Sequence, residues 1–388
     1  MGSARPAVFR SSTYVFSSPE AAERAFSIAL GRSRPAEDES VDLIYSRLSH
    51  PNAEILEDQI VPLEPGAQAA GVFNSGLAAI STLFLTLCRP GRGFVYTAPV
   101  YGGTHHLIHQ LLEPLGMEAI RVAAGDTVGL AAAIAGAREV DLVFVETPAN
   151  PTLRMTDLAA AARAVRAHPD RPLLVVDNTF LGPAFQHPLA LGADLTVYSA
   201  TKYLSGHSDM LGGVILSGDP ELLEQLRGTR AILGNILQPD ECWMLDGRLP
   251  AAELRMNRQS KNAQRIADGL AGHEKLSRVV YPSHFEDAEQ IRIRDAQCRF
   301  PGAIVTLELS GGKRAAFDFL RGLRIARNAV SLGGVETLAC HPATTTHSEL
   351  SNPERAELGI GDDLVRLSIG VEDWRDLLND FRRALDAV

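Results

Sequence analysis

The sequence predicts an α/β fold around a mostly parallel mixed sheet, and three observations lead to it. Short apolar runs rich in β-branched residues alternate with longer helical patterns, and several of these runs end on polar residues. Helices that connect parallel strands cover both faces of the sheet, which accounts for the alternation. The runs that predict strands are residues 94–96, 119–122, 142–146, 173–177 and 195–199.

Helical patterns complete the layout. Residues 77–87 carry apolar side chains at helical spacing, and the alanine-rich stretch 157–165 predicts a helix capped near Thr156. After residue 240 the order changes, which predicts a smaller α+β domain. Its elements are a helical stretch at 241–270, a strand at 303–309 and a final helix at 374–387.

These elements divide the chain into three predicted parts. Residues 1–44 form an N-terminal arm, in which the polar insert 31–40 predicts a mobile loop. Residues 45–240 form the large domain with the predicted sheet. Residues 241–388 form the small C-terminal domain.

The composition is that of a soluble globular protein and argues against several other classes. The chain has 388 residues, 45% of them apolar, with a net charge of -10. Binding to nucleic acid needs excess Lys and Arg on one surface, so we expect no nucleic-acid partner. The four cysteines lie far apart, and the chain shows neither a signal peptide nor an apolar stretch that could span a membrane. We therefore expect reduced thiols, no membrane contact and a cytoplasmic protein.

Lys202 ends the run Ser-Ala-Thr-Lys at residues 199–202, directly after a predicted strand. The run places one amine among hydroxyls that can bind phosphate, which suits a Schiff base with the aldehyde of pyridoxal phosphate. Such an amine must lose its proton near neutral pH, and burial beside cations lowers a lysine pKa in this direction. By itself the run is more typical of a solvated loop, so other residues must decide.

Two other predicted strands end on polar side chains. In open α/β sheets, ligands bind at the carboxyl ends of the strands. Asp177 ends an almost wholly apolar strand, and a buried carboxylate there needs a cation such as a protonated pyridine nitrogen. The alternative is a cap on the turn through Asn178 and Thr179. Glu146 ends another strand before a proline-framed turn, which either fixes Asn150 in space or is a plain turn.

Two local patterns suit a planar, phosphorylated ligand. Residues 74–77, Asn-Ser-Gly-Leu, precede a predicted helix whose free N–H groups can bind phosphate, although simple N-capping explains them equally well. Tyr101 precedes two glycines and either lays its ring on the cofactor or is an ordinary turn tyrosine. His105 and His109 stand four residues apart, but no further ligand completes a metal site, so we expect no metal.

In combination these motifs resemble the Cys/Met-metabolism family of pyridoxal phosphate enzymes, from about residue 6 to residue 387. This family contains cystathionine γ-synthases, cystathionine γ-lyases and methionine γ-lyases. Residues 45–47, Tyr-Ser-Arg, are similar to a family motif, and runs at 330–334, 341–343 and 364–368 are similar to its C-terminal signature. The resemblance implies fold type I, as in aspartate aminotransferase, with pyridoxal 5′-phosphate as cofactor, a small amino-acid substrate and a homotetramer of two active dimers.

The resemblance also implies a role for each matched residue. Lys202 forms the Schiff base and moves protons, Asp177 keeps the ring nitrogen protonated, and Tyr101 stacks on the ring and protonates the leaving group. Arg366 binds the substrate carboxylate, beside Ser331 and Val330. The remaining cofactor-binding residues are Tyr45 and Arg47, which reach across a subunit interface, and Ser75, Gly76, Leu77, Asn150, Ser199 and Thr201.

Substrate preference depends on a few positions within this resemblance. Cystathionine-handling members usually carry Glu where this chain has Val330, and an apolar side chain favours an uncharged tail such as that of methionine. Methionine γ-lyases typically show Cys at the position of Gly103 and Lys-Asp at 230–231, where this chain has Arg-Ala. We predict γ-elimination on a sulfur amino acid, giving a thiol, 2-oxobutanoate and ammonia. The alternatives are γ-replacement on an O-acyl-homoserine, cleavage of cystathionine, or a non-catalytic scaffold.

Overall fold

The computed structural model describes residues 2–36 and 39–388. Two residues of the predicted mobile loop, Glu37 and Asp38, therefore lie outside the described residues. The described part forms fourteen α-helices and twelve β-strands. The helices are α1 Pro19–Ala29, α2 Pro51–Ile60, α3 Gly76–Leu87, α4 Gly102–Leu107, α5 Thr127–Gly136, α6 Leu158–Ala167, α7 Gly182–Phe185, α8 Pro220–Leu233, α9 Pro239–Asp246, α10 Ala252–Leu270, α11 Ala288–Gln297, α12 Gly312–Gly322, α13 Asn352–Glu357 and α14 Trp374–Asp386. The strands are β1 Ala69–Phe73, β2 Gly93–Ala98, β3 Glu118–Ala123, β4 Val140–Glu146, β5 Leu173–Asp177, β6 Leu195–Ser199, β7 Gly213–Ser217, β8 Leu276–Val280, β9 Ile304–Leu309, β10 Arg327–Asn328, β11 Leu338–Cys340 and β12 Leu364–Ser368.

The large sheet has the strand order β1-β7-β6-β5-β4-β2-β3. The pairs from β6 through β5, β4 and β2 to β3 are all parallel, whereas β7 runs antiparallel to both β1 and β6. The mostly parallel mixed sheet is confirmed, and β5 and β6 have the predicted bounds. Because β4, β5 and β6 are parallel, their carboxyl ends meet at one edge of the sheet.

Both faces of this sheet are buried because its strands are apolar on both sides. On one face, Phe144 of β4 packs with Phe84 of α3, at 5.5 Å between ring centroids. On the other face, Val143 and Val145 pack with Val165 of α6. Asp157 caps α6 by accepting from the Ala160 N–H at 2.8 Å, one residue later than the cap expected near Thr156.

The second sheet has the order β10-β11-β12-β9-β8 and is antiparallel except for the β10–β11 pair. Phe319 of α12 and Phe381 of α14 pack in its core, which confirms the α+β type. Across the residues that the structure describes, no helix is long and apolar enough to cross a membrane.

The predicted helical stretch 241–270 was wrong as one unit. It is divided into α9 and α10, with a short 3-10 turn at Leu249–Ala251 between them. Pro250 accounts for the break, because proline has no N–H to donate within a helix. Cys242 and Leu245 of α9 pack with Leu56 of α2 on the side of the large sheet. The three-part division at 1–44, 45–240 and 241–388 stays a prediction.

Candidate active site

A cavity of about 250 Å³ lies at the carboxyl ends of β4, β5 and β6. It brings together every predicted site residue except Tyr45, Arg47 and Ser331. Polar groups from distant parts of the chain therefore meet where the parallel sheet predicted a ligand site. The lining residues are Ser75, Gly76, Leu77, Ile80, Tyr101, Glu146, Asn150, Asp177, Thr179, Phe180, Ser199, Thr201, Lys202, Leu211, Val330, Leu332, Thr346 and Arg366.

The Lys202 amine points into this cavity and donates a hydrogen bond to Ser331 Oγ at 3.2 Å. Burial lowers the pKa of Lys202 to about 8, and the positive charge of Arg366 acts in the same direction. The neutral amine is therefore reached near physiological pH more readily than in an exposed lysine. Ser331 lies outside the lining itself but contacts the amine directly.

Two groups that the sequence did not indicate, Arg255 and Gly333, hold the backbone around Lys202 in place. Arg255 of α10 donates to the carbonyl groups of Tyr203 at 2.8 Å and Leu204 at 3.0 Å. Gly333, at φ +78°, packs so closely that a Cβ there would lie 2.7 Å from the Tyr203 nitrogen and 3.0 Å from the Lys202 carbonyl carbon. A side chain at residue 333 would displace the lysine loop.

Asp177 and Glu146 are partners in the β4–β5 register and bring two buried carboxyl groups to the same cavity. Asp177 Oδ1 accepts from the Thr179 N–H at 3.0 Å and from its hydroxyl at 2.6 Å. The capping interpretation is thus correct for this contact, while the carboxyl group still faces the cavity. Burial raises the pKa of both carboxyl groups, and the charge of Asp177 adds to the rise at Glu146.

Glu146 was not predicted as a site residue. Its Oε2 accepts from the Tyr101 backbone N–H at 2.7 Å, and its Oε1 accepts from the Asn150 N–H at 3.2 Å. One signal in the sequence could have found it, because Glu146 and Asp177 end neighbouring predicted strands on carboxylates. The proline-framed turn after Glu146 does fix Asn150, and this residue is 3% exposed.

The N-terminus of α3 forms a narrow cradle at the cavity. Ser75 caps the helix by accepting from the Ala78 N–H at 3.0 Å, so the capping interpretation holds for its hydroxyl. A Cβ on Gly76 would lie 2.8 Å from Ser199 Cβ, which leaves no space for a side chain. The backbone N–H groups of the first turn and the positive end of the helix dipole remain suited to an anion such as phosphate.

Arg366 of β12 is 2% exposed and extends into the cavity. Its guanidinium donates to Asn150 Oδ1 at 3.0 Å and to the carbonyl groups of Val330 at 2.8 Å and Ser331 at 3.2 Å. In the part of the chain that the structure describes, no carboxylate forms an ion pair with Arg366. A buried guanidinium that no carboxylate contacts directly is suited to bind an incoming carboxylate.

Tyr101 lies at the mouth of the cavity, and its side chain is partly open to solvent. Its ring lies over Gly103, where a Cβ would be 2.5 Å from Tyr101 Cε1. Val330 and Leu211 are also exposed at this mouth. The mouth is therefore formed by side chains with space to move.

Tyr45 and Arg47 do not reach the cavity within one chain. They lie in a separate depression with His50 and Gln238, and Arg47 donates to the Ala231 carbonyl at 2.8 Å. Their predicted contact with the phosphate of a neighbouring subunit stays a prediction. Arg230 is also away from the cavity, because it is buried against Glu57 at 2.7 Å.

His105 and His109 pack with ring centroids 4.3 Å apart. Burial lowers the pKa of His105 to about 4, and His109 adds to this effect. Over residues 2–36 and 39–388, no group of three or more His, Cys, Asp or Glu side chains is arranged to hold a metal ion.

A family model described as "Cys/Met metabolism PLP-dependent enzyme" matches residues 1–386. The chain belongs to this family. Its cofactor is accordingly pyridoxal 5′-phosphate, and it is an enzyme of the carbon-sulfur lyase kind. The site fits this cofactor, since it offers an amine with a lowered pKa, a buried carboxylate and a helix N-terminus with space for phosphate.

Relatives in this family match nearly the whole chain. The L-methionine gamma-lyase of Pseudomonas deceptionensis is 37% identical over 389 aligned residues, covering 100% of this chain and 94% of the relative. The cystathionine gamma-lyase of Sus scrofa is 38% identical over 343 residues, covering 88% and 83%. The crystal structure of metB from Corynebacterium glutamicum has a TM-score of 0.89 at 33% identity, covering 99% of this chain and 93% of that one. The cystathionine gamma synthase of Xanthomonas oryzae pv. oryzae, in complex with cystathionine, has a TM-score of 0.87 at 33% identity, with the same coverage. The fold type I architecture of the family is confirmed.

Proposed function

We propose that this enzyme catalyses γ-elimination on methionine or a similar sulfur amino acid, consuming water and giving a thiol, 2-oxobutanoate and ammonia. The observation that carries this proposal is Val330, whose apolar side chain is 55% exposed at the cavity mouth. Its own carbonyl accepts from Arg366 at 2.8 Å, so the apolar side chain is next to the group proposed to bind the substrate carboxylate. The similarity to methionine gamma-lyases supports the same substrate.

Arg366 would bind the substrate carboxylate and fix the direction of the substrate. Asn150 and the two carbonyl groups that already accept from Arg366 hold the guanidinium in place. The substrate tail then meets Val330 and Leu211 near the mouth. An uncharged thioether loses little by leaving water there, whereas a distal ammonium group would need a partner that these side chains do not offer.

When bound, the cofactor supplies an aldehyde for the substrate amine and a ring that withdraws electrons from Cα. Asp177 would hold the proton on the ring nitrogen. Ser75, Gly76, Leu77, Ser199 and Thr201 would hold the phosphate, while Asn150 would bind the ring oxygen.

Lys202 would carry out the proton transfers at the substrate. With a pKa of about 8, its amine can accept the Cα proton when neutral and return a proton after it is charged. The hydrogen bond to Ser331 Oγ orients the amine. Tyr101 would donate a proton to the leaving sulfur at Cγ.

We further propose a cytoplasmic homotetramer of two active dimers. The phosphate-binding groups of one chain are neutral hydroxyl and backbone N–H groups, so Arg47 from a second copy would supply a cation. Tyr45 of the same copy would contribute its hydroxyl.

The decisive experiment is a substrate panel with the holoenzyme. Methionine, cystathionine, and O-acetylhomoserine with an added thiol are each incubated, and released thiol and 2-oxo acid are measured. The proposal expects 2-oxobutanoate and methanethiol from methionine, with no turnover by Lys202→Ala. Turnover of O-acetylhomoserine with thiol, without 2-oxobutanoate from methionine, would establish γ-replacement instead. That second candidate is supported by the structural similarity to the synthase of Xanthomonas oryzae.

A further inference from the structure

We propose that Glu146 is a positioning residue whose carboxylate joins the turn that carries Tyr101 to the turn that carries Asn150. The proposal deepens the proposed function, because it takes the roles of Tyr101 and of the Asn150–Arg366 pair from it. Glu146 would act through these residues rather than on the substrate.

Both oxygens of Glu146 are used. Oε2 accepts from the Tyr101 N–H at 2.7 Å, and Oε1 accepts from the Asn150 N–H at 3.2 Å. One donor follows β2 and the other follows β4, so a single side chain joins two loops that the sheet alone does not connect. The bonds go to backbone N–H groups, and they therefore fix the two turns themselves.

The bonds continue from Asn150 into the rest of the site. Asn150 Oδ1 accepts from Arg366 at 3.0 Å, and Arg366 also donates to the Ser331 carbonyl. Ser331 in turn accepts from the Lys202 amine. A shift of the Asn150 turn would thus change the direction in which Arg366 presents its guanidinium.

Burying the Glu146 carboxyl group beside that of Asp177 is costly, which argues that its geometry matters. The side chain is 5% exposed and faces the Asp177 carboxyl group in register, with Arg366 as the nearby cation. An apolar side chain would avoid the cost of burying a second carboxylate. Glutamine would not replace it, because its amide has one acceptor oxygen and would direct an NH₂ group at one of the two N–H donors.

The variant Glu146→Gln tests this proposal, with Asp380→Asn as the matched control. Asp380 is also a buried carboxylate, 4% exposed, and accepts from the N–H groups of Ile325 at 2.8 Å and Arg324 at 3.0 Å. It lies on α14 and is not among the residues that line the cavity. Loss of a buried carboxylate is common to both variants, whereas loss of the link between the turns is specific to Glu146.

Hydrogen–deuterium exchange of each holoenzyme gives a readout that does not depend on any substrate. We expect Glu146→Gln to speed exchange about tenfold or more in segments 98–103 and 147–151, and Asp380→Asn to speed it around 324–326 instead. We also expect weaker binding of pyridoxal phosphate to the apo protein, and a KM rise of about tenfold or more on the best substrate of the panel.

Unchanged exchange at 98–103 and 147–151 would overturn the proposal, as would uniform acceleration across the chain. Glu146→Asp provides a second variant if the glutamine variant does not fold. Its shorter side chain can reach only one turn, so one of the two segments should exchange faster. A wild-type enzyme inactive on methionine would refute the proposed substrate and leave this exchange result unaffected.

Discussion

Glu146 and Asp177 on the cavity floor are 5% and 7% exposed, whereas Leu211 and Val330 at its mouth are 62% and 55% exposed. The floor residues end neighbouring strands, and hydrogen bonds fix their carboxyl groups. The mouth residues belong to loops, and their apolar side chains make no hydrogen bonds. The groups proposed to bind the cofactor thus lie on the rigid strand ends, while the side chains proposed to select the substrate lie on exposed loops.

A substitution at Gly76, at the N-terminus of α3, should have the largest effect on the rigid part of the cavity. In Gly76→Ala the new Cβ meets Ser199 Cβ at 2.8 Å and Ser199 Cα at 3.0 Å, and the backbone atom cannot turn away. We expect a destabilisation of about 1–3 kcal/mol from overpacking and a loss of pyridoxal phosphate affinity of roughly 100-fold. Urea unfolding and fluorescence titration of the apo protein measure the two effects.

The control for this variant is Gly228→Ala on α8, where a Cβ meets no atom within 4 Å. It should stabilise the protein by about 0.5–1 kcal/mol and leave cofactor affinity unchanged. Equal cofactor affinity in wild type and Gly76→Ala would show that the cradle at α3 does not bind the phosphate.

The mouth can be changed without disturbing the floor. We expect Val330→Glu to lower kcat/KM for methionine by about tenfold or more and to raise it for cystathionine, because the carboxylate can pair with a distal ammonium group. Leu254→Glu, on the exposed face of α10, controls for added surface charge. The kinetics of both variants on both substrates are the measurement. If kcat/KM changed in the same direction and by a similar factor for methionine and cystathionine, a role of Val330 in selectivity would be contradicted.

Titration of the buried Lys202 amine should have the smallest effect on the protein. Burial lowers the pKa of its amine to about 8 in the folded protein, from 10.5. Between these two values the unfolded chain binds more protons, so the stability of the apo protein should rise with pH. Below about pH 8 the cost of burying the charged amine is fully present. The gain in the free energy of unfolding over this pH range is on the order of 1–3 kcal/mol.

Urea unfolding of the apo protein at about pH 7 and about pH 10 measures this gain. In Lys202→Met the ammonium group is absent, so its stability should rise less over the same interval. An equal rise of the unfolding free energy with pH in the two proteins would show that the Lys202 amine is not desolvated.

Local patterns pointed to Asp177 and Lys202 but not to the residues that support them. The strand that ends at Asp177 and the run that ends at Lys202 are continuous in sequence, so strand ends made them candidates, and the combination with the other motifs decided. Arg255 contacts the carbonyl groups of Tyr203 and Leu204 across about fifty residues, and no local pattern indicates such a contact. Glu146 was identified only as a strand end, because its bond to Tyr101 depends on how the β2 and β4 loops meet.

Two other sequence-based expectations differ from what one chain shows. The apolar spacing of 241–270 predicts one helix, but Pro250 within the stretch is a local signal for the break. Tyr45 and Arg47 were assigned to the cofactor through resemblance, and within one chain they lie in a different depression. Only an assembly of chains can test that assignment.

The loop at 330–334 has a consequence for how such an enzyme can diverge. Val330 faces the mouth, while Gly333 of the same loop packs on the Lys202 backbone. The side chain at one end of this loop is therefore open to change, whereas the other end is fixed by its packing on the Lys202 backbone. Under the proposed function, a substitution at residue 330 would alter the contact with the substrate tail, while the packing of Gly333 would still hold the Lys202 backbone.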